Sequence, residues 1–297
     1  AVIITSADPT GYADHNDRVL VEAGESDGRF IPFLRVDPTR DDALDEGTRS
    51  LDAGHRGIKL HPRSESFALS DPGVARVAEL AAERRVPILV HAGRGMDPLG
   101  STPLDLIDAF PRLQIILAHC GVSDLARLAP GSRTRPGLLF DTAWWNPTDL
   151  AALFAWVDAS QILYASDMPY GSPLMAATIT TRAAVQAGLS GAALSAVFSG
   201  NLLRSLDGEP AVPIGSGVEL HPDPSLLRIA SNLFGAIDTT FSGGNHVQAL
   251  ELARRATETA PTPHSGIHAA IASTLDSVAE LEPGETRERI GLFVAAC

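Results

Sequence analysis

The feature that most constrains this chain is a series of short apolar runs, each closed by a turn signal, along its first two thirds. They are AVIITSADP (1–9), FIPFLRVDP (30–38), GIKLHP (57–62), VPILVHAG (86–93), QIILAHCG (114–121), LLFDTAWWNP (138–147) and QILYASDMP (161–169). The runs are almost continuously apolar rather than alternating, which is the pattern of parallel strands buried on both faces. From the second run onward they recur about every 23–29 residues, the length of a strand plus a crossover helix. The segments between them carry helical spacing. In DPGVARVAELAAERR (71–85), Asp71 and Pro72 supply a cap and a first turn, and Val74, Val77, Ala78 and Ala81 make an apolar stripe. Residues 102–112, 146–158 and 189–206 read the same way.

Repeated βα units predict either a (β/α)8 barrel or a doubly wound sheet. A nucleotide-binding doubly wound sheet would carry a glycine-rich loop after its first strand, and neither G-x-G-x-x-G nor G-x-x-x-x-G-K-[ST] occurs. Ionisable residues cluster instead at the C-terminal ends of the runs, where barrel enzymes keep their chemistry. The expected fold is therefore an α/β TIM barrel over residues 1–207. Residues 208–224 are Gly- and Pro-rich and read as a linker, and 225–297 as a small helical appendage whose apolar faces suggest a homodimer. The net charge of -13 argues against nucleic acid as a partner. No apolar run approaches the roughly 20 residues that span a bilayer. With only two cysteines, Cys120 and Cys297, a disulfide framework is excluded, and the expected location is cytoplasmic.

The strand ends offer, in order, Lys59, His61, His91, His119, Asp141 and Asp167. Lys59 is the only lysine in the chain. His91 and His119 close neighbouring runs in the same frame, and two neutral imidazoles with a carboxylate form a common ligand set for Zn²⁺. Such an ion lowers the pKa of a bound water towards roughly 7. His91, His119 and Asp167 are the expected metal ligands, with His119 and Asp167 also catalytic. His61 either touches substrate or caps a turn. The same choice holds for Asp141, and Trp144 either lines the pocket or packs. Arg63 and Arg94, just past strand ends, either grip an anionic group through paired N–H donors or are solvated.

At GIKLHPR, PILVHAGRG, IILAHCG, FDTAWW and ILYASDMPYG the chain resembles the amidohydrolase-related branch of the amidohydrolase superfamily, which includes semialdehyde decarboxylases and lactonases. The resemblance covers residues 1 to about 207. It implies a distorted (β/α)8 barrel with a divalent metal at its mouth. By that resemblance His91 matches the strand-five metal ligand, His119 the strand-six histidine and Asp167 the strand-eight ligand and general base. Lys59 stands where binuclear relatives carry a carboxylated lysine and mononuclear ones carry no ligand. Family members begin with a strand bearing H-x-H, which does not occur here. The opening run resembles the family's second strand, so the first strand is expected to precede the quoted sequence.

The leading expectation is a metal-dependent hydrolase of a small, anionic amide, ester or lactone. The alternatives are a non-oxidative decarboxylase using the same residues, and a metal-poor pseudoenzyme that binds a partner.

Overall fold

The computed structural model describes residues 1–93, 97–122, 124–143, 146–215, 224–241, 247–258 and 264–279. Its strands are β1 (Val2–Ile3), β2 (Ile31–Pro32), β3 (Leu34–Arg35), β4 (Ile58–Leu60), β5 (Pro87–Val90), β6 (Gln114–Leu117), β7 (Leu138–Asp141) and β8 (Ile162–Leu163). All pairings are parallel; β1 joins β2, and β3 to β8 form one sheet in chain order. β2 and β3 are two stretches of the single run 30–38. At its middle the Phe33 amide donates to Ile3 and the Leu34 amide to Gly57, so the run bridges β1 and β4. A doubly wound sheet reverses strand order at a switch point. Here the order never reverses, as in a barrel wall.

The helices are α1 (Ala13–Glu25), α2 (Ala43–Ala53), α3 (Pro62–Glu65), α4 (Pro72–Arg84), α5 (Thr102–Ala109), α6 (Leu125–Ser132), α7 (Pro147–Trp156), α8 (Pro173–Gln186), α9 (Gly191–Ser195) and α10 (Asn201–Leu206). A π-helical turn at Ala196–Gly200 joins the last two. Helix α4 forms for the reasons visible in its sequence. The Asp71 carboxylate accepts from the Gly73 amide, Pro72 fills the first turn, and Val74, Val77, Ala78 and Ala81 are buried. It stops at Arg85, which adopts a left-handed conformation.

The ladder register decides which side chains share a face. Lys59 pairs with Leu89, Leu89 with Ile116, and Ile116 with Leu139. Leu89, Ile116, Leu139 and Leu163 pack together with Leu202 and Ala211. The alternate row, including Ile88, Ile115, Leu117 and Leu138, is also fully buried, so both faces of the sheet are covered. Residues 208–215 cross the N-terminal ends of the strands. There the Ala211 amide donates to Pro136, the Gln114 side chain to Ser205 and Glu209, and the Ile214 and Gly215 amides to the Asp158 carboxylate.

By internal contacts the chain divides into Ala1–Trp144 with Leu150–Glu219, and a second unit of Trp145–Asp149 with Leu220–Cys297. The second unit contains α11 (Pro224–Phe241), α12 (Val247–Ala256) and α13 (Ser265–Ala279), with Ile229, Leu233, Ala236, Ala253 and Leu275 as its core. No helix among the described residues is long and apolar enough to cross a membrane.

One close approach is testable. A Cβ on Gly73 would lie 1.9 Å from the Pro38 carbonyl oxygen, whereas one on Gly24, in α1, would meet nothing within 4 Å. Gly73→Ala should destabilise by about 1–3 kcal/mol through forced backbone displacement. Gly24→Ala should stabilise by about 0.5 kcal/mol through helix propensity. Urea-denaturation midpoints of the two variants check the opposite signs.

Candidate active site

Continuing each ladder by one residue puts His61, His91, Ala118, Asp141 and Leu163 in one row at the C-terminal ends of the strands. This row lies directly above Lys59, Leu89, Ile116 and Leu139, two residues further along each strand. Adjacent strands lie about 4.8 Å apart, so neighbouring rings in the row must stack or clash. His61 and His91 stack, with centroids 4.0 Å apart and planes 11° from parallel.

His119 does not belong to this row. It lies one residue beyond Ala118, and such an offset sends a strand side chain to the opposite face. The two histidines that look in frame in the sequence are therefore out of register by one. The structure nevertheless brings His119 Nε2 to 3.0 Å from His91 Nδ1. The reason lies in the backbone: β6 ends at Leu117, and His119 and Cys120 adopt left-handed φ values of 57° and 61°. That turn returns the imidazole to the face of His91, over the small Ala118. Left-handed conformations of non-glycine residues cost roughly 1–2 kcal/mol each, and they persist where the surroundings over-determine them.

Those surroundings are specific. The buried Asp141 Oδ1 accepts from the His119 amide and from the Ala143 amide, both at 2.9 Å. The Ala143 carbonyl in turn lies 2.7 Å from His119 Nδ1. A carbonyl only accepts, so His119 Nδ1 carries a proton and donates it to Ala143, which turns Nε2 towards His91. Asp141 thus makes a turn cap that holds His119.

The imidazoles of His61 and His91 are uncharged. Burial pushes His91 down to about 2, helped by repulsion from His61 and His119 where they are protonated and from Lys59 and Arg63. Burial and the Lys59 ammonium push His61 down to about 3. The Ser64 amide donates to His61 Nδ1 at 3.2 Å, capping α3 and placing the His61 proton on Nε2. His91 Nε2 is buried without a hydrogen-bond partner among the described residues. Gly93 backs this pair: a Cβ there would stand 3.0 Å from His119 Cδ2 and 3.3 Å from His91 Nε2.

This donor set fits two positions around a divalent ion. In this structure the 3.0 Å contact between His91 Nδ1 and His119 Nε2 is a hydrogen bond, one of the two nitrogens carrying the proton between them. Two nitrogens bound tetrahedrally at about 2.0–2.1 Å lie roughly 3.3 Å apart, so an ion held there would take the place of that proton. Asp167 follows β8 in a left-handed conformation, with φ 52°. Burial raises its pKa, the charge of Asp141 adds to the rise, and His119 and Lys59 oppose it. Burial raises Asp141 likewise. Among the described residues, no three His, Cys, Asp or Glu side chains are grouped closely enough to hold an ion together.

Lys59 is buried one rung below His61. Burial pulls its ammonium down to about 8, with the Asp141 carboxylate the strongest opposing influence. Arg63, on α3, is exposed at the rim. Arg94 and Trp144 lie outside the described residues. The sequence reading missed a second buried cluster. Arg35, which pairs with Lys59 in the ladder, donates to Glu65 Oε1 from Nε at 3.0 Å and from its second terminal nitrogen at 2.5 Å, and the Tyr12 hydroxyl donates to the same oxygen at 2.6 Å. A lone arginine inside the apolar run FIPFLRV was its only sequence signal.

The chain belongs to the amidohydrolase family: residues 6–206 match the amidohydrolase model. No curated protein matches it. Among solved structures it is similar to 4-oxalomesaconate hydratase from Rhodopseudomonas palustris, with 16% identity, a TM-score of 0.56, and 66% of this chain and 71% of that one covered. A TIM-barrel protein from Bordetella bronchiseptica matches at 17% identity and a TM-score of 0.54, over 70% of this chain and 77% of that one. A dihydroxybenzoic acid decarboxylase from Polaromonas, with bound manganese and the inhibitor 2-nitroresorcinol, matches at 18% identity and 0.52, over 65% and 74%. The fold is accordingly the (β/α)8 class.

Because Lys59 is the only lysine, protein carrying ¹³C-lysine should show one Cε resonance. Its NMR titration should have a midpoint near 8, charged below and neutral above. A midpoint at the ordinary lysine value of 10.5 would place Lys59 in contact with solvent.

Proposed function

We propose that the chain is a metal-dependent enzyme that hydrolyses an amide, ester or lactone bond in a small anionic molecule. The observation that carries this reading is the convergence of His91 Nδ1 and His119 Nε2 at 3.0 Å, with His119 Nδ1 already committed to Ala143. His91 and His119 would hold two positions of a divalent ion, and paired imidazoles favour zinc. Asp167, the third ligand expected from the sequence, is not grouped with them among the described residues and is read as the proton carrier. Bound there, the ion would supply Lewis acidity and make water acidic near neutral pH.

The chain's own side chains account for the rest. Asp167, its pKa raised by burial and by Asp141, takes a proton from the attacking water and passes it to the leaving group. The neutral His61 and His91 rings wall the reacting centre without adding charge. Arg63 receives the substrate's anionic group at the rim. Lys59 and Arg35 offset the carboxylates of Asp141 and Glu65 beneath the site.

A second reading is non-oxidative decarboxylation, in which Asp167 delivers its proton to the carbon that loses CO₂. The decarboxylase among the structural neighbours favours it.

Turnover of a panel of small lactones, esters and aromatic acids in H₂¹⁸O and in D₂O separates the two. Hydrolysis puts ¹⁸O in the product carboxylate; decarboxylation puts deuterium on carbon and none of the ¹⁸O. Asp167→Asn should lower the rate of either by about 10²–10⁴-fold. An unchanged rate in that variant would remove Asp167 from the reaction.

A further inference from the structure

Residues 62–70 after β4 and 97–102 before and in α5 line an open cleft of about 700 Å³, within the roughly 300–1,000 Å³ of small-molecule sites. Its floor is apolar, formed by the buried side chains of Phe67, Leu69 and Leu99. Its rim is charged, with Arg63 on the first segment and Asp97 on the second. Pro62, the neighbour of His61, also lines it, and His61 stacks on His91 with ring centroids 4.0 Å apart, which puts this end of the cavity on the side of the reacting centre.

The wall from the second segment is held in an unusual way. Asp124 is the N-cap residue of α6, yet its carboxylate does not cap that helix. It reaches back to the Leu99 amide at 2.7 Å and the Gly100 amide at 3.1 Å, and it is buried. An N-cap side chain is ordinarily worth about 1 kcal/mol to its own helix. Here the carboxylate instead grips the main chain at Leu99, which forms the cavity floor.

We infer that this cavity is the specificity pocket for the tail of an amphipathic anion, with Arg63 binding the carboxylate and Asp124 acting as a positioning residue for the apolar wall. The inference deepens the proposed function and rests on His91 and His119 being the reacting end. The cavity takes a ligand whose charged group meets Arg63 and whose hydrocarbon body replaces water over Phe67, Leu69 and Leu99. A charged head alone leaves that floor uncovered. A cationic head of the same length is repelled by Arg63 and finds only Asp97 at that rim among the described residues, so hexylamine tests which of the two charges meets the head group.

The test is binding rather than turnover. Hexanoate, acetate and hexylamine are titrated into wild type, Arg63→Gln, Asp124→Asn and His91→Ala by calorimetry. Four extra methylenes at about 0.8 kcal/mol each predict that hexanoate binds at least about tenfold tighter than acetate, where tenfold is roughly 1.4 kcal/mol. Hexylamine should bind at least as weakly as acetate. Arg63→Gln, at an exposed position, should fold normally and lose the preference for hexanoate over hexylamine. Asp124→Asn should weaken hexanoate several-fold and speed hydrogen exchange at the Leu99 and Gly100 amides. Equal affinity for hexanoate and acetate, or no effect of Arg63→Gln, would overturn the assignment. His91→Ala keeps the two readings apart: it should retain hexanoate binding, because the pocket does not use that ring. Its effect on turnover bears only on the reacting centre.

Discussion

The hydrogen bond from His119 Nδ1 to the Ala143 carbonyl is the contact on which the rest of the site depends. It fixes a proton on Nδ1 and the orientation of the ring, and so sets Nε2 against His91. The bond exists only because the chain turns left-handed at His119, and the turn is held by the Asp141 carboxylate, which collects the amides of His119 and Ala143. One buried carboxylate at the end of β7 therefore positions a side chain beyond the end of β6. The conformational cost of the turn is offset by main-chain hydrogen bonds to a charged acceptor, which run to about 1.5–3 kcal/mol each.

The inner face of the sheet below the mouth is unusually polar for a barrel interior. Arg35 and Lys59 occupy the row otherwise filled by Leu89, Ile116 and Leu139. Their charges are set against Glu65, Asp141 and Asp167. Burial moves Lys59 down and Asp141 and Asp167 up, and it holds His61 and His91 uncharged. Groups whose protonation is displaced towards neutrality are suited to moving protons near pH 7. Stability and chemistry meet in this layer, because removing one charge of a buried pair such as Arg35–Glu65 leaves its partner uncompensated.

The parallel arrangement was legible because seven apolar runs recur at the length of a βα unit, and α4 because Asp71 and Pro72 announce its start. The strand ends carrying Lys59, His61, His91 and Asp141 were legible for the same reason. The route by which His119 reaches His91 was not. In the sequence VHAG and AHCG look equivalent, but the ladder pairs His91 with Ala118, and only a left-handed turn makes up the difference. Nothing local in AHCG signals it, since the force holding the turn comes from Asp141, on another strand. The Arg35–Glu65–Tyr12 cluster was hidden because its members lie 23 to 53 residues apart across three elements. Asp124 was hidden because an aspartate opening a helix reads as that helix's own cap.

The central claim is that His91 and His119 share one cation. Cobalt(II) titration followed by visible absorption tests it most directly. The account predicts one equivalent bound, with ligand-field bands of a low-coordinate nitrogen and oxygen site, and loss of that spectrum in both His91→Ala and His119→Ala. Binding of one equivalent with an unaltered spectrum in either variant would contradict it.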